Sequence, residues 1–208
     1  IKFRKKYKIA SEELVLSVFP GSRKVELDRH LPIFSKTVTL LAKRHNLKWV
    51  VVPTIPKHRK FIESETAKWD VNTLILDATQ KSIKFSAMLA SNAALTSAGT
   101  ATLELAVAQV PMVVSYRTHP ITFAIAKRVV SIRHIALVNI IANRYIVPEY
   151  LQKDCNPENL ASAVGKMLID QIVRNEQINW LDKVSMKLGD KDPPPSHLAA
   201  DVVLKLVQ

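Results

Sequence analysis

The sequence predicts an α/β fold, a Rossmann-like parallel sheet flanked by helices. Three observations predict it. Short apolar runs rich in valine, isoleucine and leucine alternate with stretches of helical period from Leu14 to Tyr116, the pattern of βαβ units. Small-residue turns, PGSR and SAGT, follow the first and fourth apolar runs. Hydrophobic residues make up 48% of the 208-residue chain, enough to build a core, so a disordered chain is not expected.

The elements follow in order. Leu14–Phe19 (LVLSVF) is short, apolar and β-branched, so it reads as a buried strand. Pro20-Gly21-Ser22-Arg23 breaks it. From Val25 to Arg44, Leu31, Phe34, Val38 and Leu41 recur at helical spacing. Lys48–Val52 is a second strand and Lys57–Ala67 a helix. Asn72–Leu76 is a third strand, Gln80–Leu89 a helix, and Ala93–Thr96 a fourth strand. Thr100–Ala108 is a helix and Met112–Tyr116 a fifth strand. Beyond it the pattern turns helical, over Ile121–Val130, Pro157–Gln171 and Ser196–Val207, with Ile135–Val138 read as a sixth strand. Residues 1–13 read as a basic linker, 14–195 as the Rossmann-like domain and 196–208 as a separate C-terminal helix.

Composition excludes several classes. No apolar run approaches the ~20 residues of a membrane span, and the charges of IKFRKKYKIA have no apolar stretch behind them, so a signal peptide is not expected. Cys155 is the single cysteine and has no internal disulfide partner. His45, His58, His119 and His134 are not spaced with Cys155 as metal ligands, so neither metal nor other cofactor is expected. Thirty Lys and Arg against eighteen Asp and Glu give a net charge of +12. Such an excess attracts nucleic acid, anionic lipid headgroups or phosphorylated small molecules; it is equally what solvated helix faces produce. A nucleic-acid module needs aromatics interleaved with its basic residues. Aromatics are 6% here, and no recognition signature appears.

The two turns carry the chemistry. In an open parallel sheet, ligands bind at the carboxyl ends of strands, and both turns fall there, each before a helix whose free N–H groups and dipole favour an anion. Glycine lets a backbone approach a phosphate without a Cβ in the way. Neither turn matches a dinucleotide or P-loop fingerprint, so a plain βα turn with a small N-cap remains the other reading. Arg23 follows its turn directly and offers a guanidinium fork. Glu104 lies one turn into its helix, where it complements the dipole or accepts bonds from a ribose diol.

Three segments, PGSR (20–23), ALTSAGTATLELAVAQVPMVVSYR (94–117) and LVNIIANRYIVPEYLQKDCNPENLA (137–161), together resemble the lipid-A-disaccharide synthases. The resemblance runs from about Leu14 to Gln208 and is weaker over Lys57–Leu89 and after Met167. It implies half of a GT-B fold of two Rossmann-like domains, in an inverting, metal-independent glycosyltransferase. The implied reaction joins UDP-2,3-diacylglucosamine to 2,3-diacylglucosamine 1-phosphate, giving lipid A disaccharide 1-phosphate and UDP at the cytoplasmic, inner face of the Gram-negative inner membrane. The chain corresponds to the family's second, donor-binding half. The N-terminal GT-B domain, which holds the catalytic aspartate, has no counterpart here, so the fragment is expected to be inactive alone.

The resemblance also implies roles for residues. Gly21, Ser22 and Arg23 fall at the donor diphosphate, Ser97, Gly99, Thr100 and Thr102 near phosphate, and Glu104 on the ribose. Asn139 is the one catalytic candidate in this half and a donor contact, with Arg144, Glu149 and Gln152 in the same family segment. Tyr116-Arg117 and Pro120 resemble the family's YR-x-x-P turn, with Arg117 facing either the donor or the domain surface and Pro120 opening the next helix. Implied partners are both sugar substrates, an anionic membrane surface and the N-terminal domain, with no nucleic acid; whether a second copy completes a homodimer is left open by the sequence. Another UDP-sugar transferase with the same glycine turn and ribose glutamate stays open at this level. If the last helix crosses to another domain or chain, Leu198, Val202, Val203 and Leu206 are expected to be exposed on this one.

Overall fold

The computed structural model describes residues 2–119, Phe123, 134–189 and 195–207. Helix α1 is Lys2–Lys6 and strand β1 is Val15–Phe19. Helix α2, Lys24–His45, leads to β2, Trp49–Thr54. A 3₁₀ turn, Pro56–His58, and α3, Arg59–Thr66, lead to β3, Asn72–Asp77. Then follow α4, Lys81–Leu89, β4, Ala93–Ser97, α5, Ala101–Val107, and β5, Met112–Tyr116. The described remainder is α6, Leu137–Ala142, β6, Glu149–Leu151, α7, Pro157–Ile169, α8, Gln171–Gly189, and α9, Pro195–Val207.

The six strands form one parallel sheet in the order β3-β2-β1-β4-β5-β6. The order reverses between β1 and β4, where Leu16 pairs with Val50 on one side and Ala93 on the other. Strand alternation sorts the side chains. Leu16 and Val18 pack on one face with Leu31, Phe34 and Val38 of α2 and Leu160 and Val164 of α7. Val15 and Phe19 turn to the opposite face, where α4, α5 and α8 supply Ala87, Met88, Leu105 and Leu181. Burial of both faces is why every residue of β1 is buried and why its sequence reads as a continuous apolar run.

The first five strands and their helices lie within a residue or two of the sequence reading. The sixth strand does not. Ile135–Val138 is the entry to α6, and the sheet is completed by Glu149–Leu151. The apolar run invited a strand, but the Glu149 carboxylate accepts the Ile135 and Ala136 N–H groups at 2.9 and 3.0 Å and starts a helix there. The stretch expected as one helix to Gln171 ends at Ile169. Asp170 leaves helical geometry, and its Oδ1 accepts the Ile172 and Val173 N–H groups, opening α8. The helix expected over Ile121–Val130, including Pro120 before it, lies outside the described residues.

Residues 2–13 dock on the sheet. Phe3 and Ile9 join the cluster of Val15, Val51 and Leu76. The Arg4 guanidinium donates to the carbonyls of Ala90, Ala10, Ser11 and Glu13 and to Asn92 Oδ1, so the basic segment is fastened beside the start of β4. In α9, Val202, Val203 and Leu204 are all more than half exposed. Among the described residues no helix is long and apolar enough to cross a membrane.

Candidate functional site

The exits of β1 and β4 stand side by side at the point where strand order reverses. A crevice of about 440 Å³ opens there. Both glycine turns line it, through Gly21, Ser22 and Arg23 on one side and Ser97, Gly99 and Thr100 on the other. Glu104 and Lys84 close a third side. This is the position at which an open α/β sheet offers a ligand site.

The first turn is built around Glu26. Its carboxylate accepts the Ser22 N–H at 2.9 Å and the Arg23 N–H at 3.3 Å, and Arg23 Nη1 at 3.0 Å. Gly21 has φ +122°, and a Cβ there would stand 2.5 Å from Glu26 Cβ and 2.6 Å from Oε2. The glycine is thus required by backbone conformation and by the carboxylate folded against it. Arg23 leaves the turn with 81% of its side chain exposed.

The second turn is open. Gly99 has φ +153°, and a Cβ there would meet nothing within 4 Å. Thr102 is buried, and its Oγ1 donates to the Gly99 carbonyl at 2.8 Å; it fastens the turn from behind. Ser97 is buried at the end of β4, while Gly99 and Thr100 are exposed. Glu104 pairs with Lys84 of α4 at 2.5 Å. Lys84 was not singled out in the sequence, because its partner lies twenty residues away on another helix.

The later residues gather elsewhere. Asn139 is fully buried, and its side chain uses all four of its hydrogen-bonding positions internally. Its Nδ2 donates to the Val147 carbonyl and to Glu149 Oε1, and its Oδ1 accepts the Ile146 and Val147 N–H groups. Glu149 is the acceptor that starts α6. Together they tie α6 to the loop that leads into β6. Arg144 lies over the Trp180 ring at 4.5 Å, beside a separate hollow of about 210 Å³. Gln152 sits at the exit of β6 with φ +48°; its Oε1 accepts the Thr118 N–H at 3.2 Å, and its buried Nε2 has no partner among the described residues. None of these four lines the crevice of the glycine turns.

Two histidines adjoin the first turn, neither of them noted as a site residue in the sequence. Nδ1 of His30 donates to the Pro20 carbonyl at 3.1 Å, and Nε2 of His58 to the Ser22 carbonyl at 3.0 Å.

The family model for lipid-A-disaccharide synthetase matches residues 1–192. The chain belongs to the lipid-A-disaccharide synthetase family. The lipid-A-disaccharide synthase of Rhodospirillum centenum is 42% identical over 99% of this chain and 51% of its own length. That of Rickettsia felis is 32% identical over 98% of this chain and 51% of its own. The chain spans about half the length of the curated relatives it matches. Among solved structures, the UDP-GlcNAc 2-epimerase of Neisseria meningitidis, bound to UDP-GlcNAc, superposes with a TM-score of 0.59 over 98% of this chain and 48% of its own, at 14% identity. The C-terminal domain of a group 1 glycosyl transferase from Francisella tularensis superposes with the same TM-score over 91% of this chain and 93% of its own, also at 14% identity. Those two likenesses establish the Rossmann-like fold that the synthetase-family chain shares with one half of such proteins.

Proposed function

We propose that the chain is the donor-binding half of an inverting glycosyltransferase of lipid A synthesis. The donor is UDP-2,3-diacylglucosamine and the acceptor 2,3-diacylglucosamine 1-phosphate; the products are lipid A disaccharide 1-phosphate and UDP. What supports the reading is the meeting of two glycine turns, an arginine and a glutamate in one crevice at the switch point, in a chain of this family.

The roles follow from the chemistry. As the acceptor hydroxyl displaces UDP at the anomeric carbon, negative charge grows on the diphosphate. The Gly21 N–H and the Arg23 guanidinium stabilise that charge, while the Ser22 and Arg23 N–H groups are held by Glu26. The exposed Gly99-Thr100 turn lies against the phosphates without a Cβ in the way. Glu104 accepts the ribose hydroxyls, and Lys84 orients its carboxylate. Asn139 and Glu149 shape the loop behind the site. No metal is required where these groups carry the charge. The base and acceptor site belong to the N-terminal GT-B domain, so residues 14–195 act as one domain that is inactive without it. Helix α9 crosses to that domain or to a second copy, which covers Val202 and Val203.

Calorimetric titration of UDP into this chain tests the reading. Saturable binding is expected, weakened about tenfold or more in Arg23→Ala and in Glu104→Ala, as for a lost charge-assisted hydrogen bond. Absence of binding in the intact chain, with or without the N-terminal half added in trans, would overturn it.

A further inference from the structure

The first turn is held by its carbonyls. His30 is fully buried. Its Nδ1–H donates to the Pro20 carbonyl at 3.1 Å, and its Nε2 accepts the Arg117 N–H at 3.2 Å. Those two bonds fix the ring as the neutral Nδ1–H tautomer. Burial pushes its pKa below the ordinary histidine value, against the smaller opposing pulls of the Pro20 carbonyl and of Glu26 and alongside the repulsion of Arg29. His58, 7% exposed, donates from Nε2 to the Ser22 carbonyl at 3.0 Å.

A trans peptide is planar, with its carbonyl and the next N–H pointing in opposite directions. Pinning the Pro20 carbonyl therefore aims the Gly21 N–H. Pinning the Ser22 carbonyl fixes the turn at its other end, where the Ser22 and Arg23 N–H groups already donate to the Glu26 carboxylate. We infer that His30 is a positioning residue that aims the Gly21 N–H at the diphosphate of a bound nucleoside diphosphate, and that His58 holds the other end of the same turn so that this N–H stays in place. The inference rests on the donor-site reading above. It gives each imidazole a second effect: His30 ties the β1 exit to the β5 exit at Arg117, and His58 ties it to the β2 exit. Three strand ends are thereby fixed around the crevice.

The test is calorimetry on this chain with UDP and uridine as probes. His30→Leu and His58→Leu are expected to weaken UDP about tenfold, the scale of one lost buried hydrogen bond, and to leave uridine unchanged. His30→Asn keeps a donor at the Nδ1 position and His58→Gln one at the Nε2 position, and both are expected to recover most of the UDP affinity. Folded leucine variants that bind UDP like the wild type, or that lose UDP and uridine in parallel, would overturn the assignment while leaving the donor site standing. Should the leucine variants not fold, amide NMR of the wild type decides. UDP is expected to shift the Gly21 amide proton, and its indifference to bound UDP would sink the idea. A wild-type chain that binds neither probe removes the donor-site reading, and the histidine roles with it.

Discussion

Gly21 and Gly99 both hold positive φ, for different surroundings. A side chain at Gly21 collides with Glu26, whereas one at Gly99 projects into open crevice. The two substitutions should therefore separate. Gly21→Ala is expected to lower stability by about 2 kcal/mol or more, combining backbone strain with displacement of a turn-forming carboxylate. Gly99→Ala should cost about 1 kcal/mol of backbone strain and reduce UDP affinity by narrowing the crevice. Urea unfolding of both, beside UDP titration of Gly99→Ala, checks the pair. Equal losses of stability would contradict the collision at Gly21. The glycines themselves were legible in the sequence, since a glycine-poor chain placed them where strands give way to helices. Glu26 was not, because its part depends on a carboxylate folding back three and four residues onto the turn's own N–H groups.

The elements were legible where local pattern and burial agree. Strands β1, β2, β4 and β5 are buried along nearly their whole length, edge strand β3 is half-buried, and all five read directly as apolar runs. Helix α8 escaped because its sequence, QIVRNEQINWLDKVSMKLG, is polar on most sides. What it buries includes Leu181, Val184 and Gln177, whose Oε1 accepts the Met112 N–H at the start of β5. Helix α6 escaped for a longer-range reason, since the acid that starts it stands thirteen residues beyond. The loop from α6 to β6 depends on Asn139. Asn139→Ala strands the Ile146 and Val147 N–H groups and releases Glu149, so a loss of about 3 kcal/mol or more is expected. Urea midpoints measure it. If UDP affinity in the folded variant stays within about twofold of wild type, the side chain acts through the loop; a tenfold loss with unchanged stability would assign it to the ligand instead.

At the scale of the whole molecule, the basic excess is distributed. Arg4 is spent on fastening the N-terminal segment, whereas Lys2, Lys5 and Lys6 beside it are free of ion pairs among the described residues. We propose that the remaining positive field holds the protein at an anionic, cytoplasmic-facing bilayer surface, near acylated substrates. Each favourable basic contact is worth about 1 kcal/mol. Sedimentation with vesicles should show binding to phosphatidylglycerol-containing lipid that fades as salt rises; equal binding to neutral vesicles would refute it. The sequence exposes this charge but not its arrangement, because which lysines stay free is decided by tertiary contacts.

The position of β1 also governs how the chain must assemble. The first strand in sequence lies in the middle of the sheet, hydrogen-bonded to β2 on one edge and β4 on the other. The Val15 N–H reaches Asn92 Oδ1, and the Asn92 N–H reaches the Val15 carbonyl, 77 residues along the chain. On a ribosome, β1 can pair with β2 early, but its second edge stays open until β4 has emerged. For that interval a strand apolar at all but Ser17 presents an unpaired ladder, the kind of edge that recruits other chains. Synthesis stalled between β3 and β4 should therefore leave a nascent chain prone to aggregation and dependent on chaperones, and release past Ser97 should end that dependence.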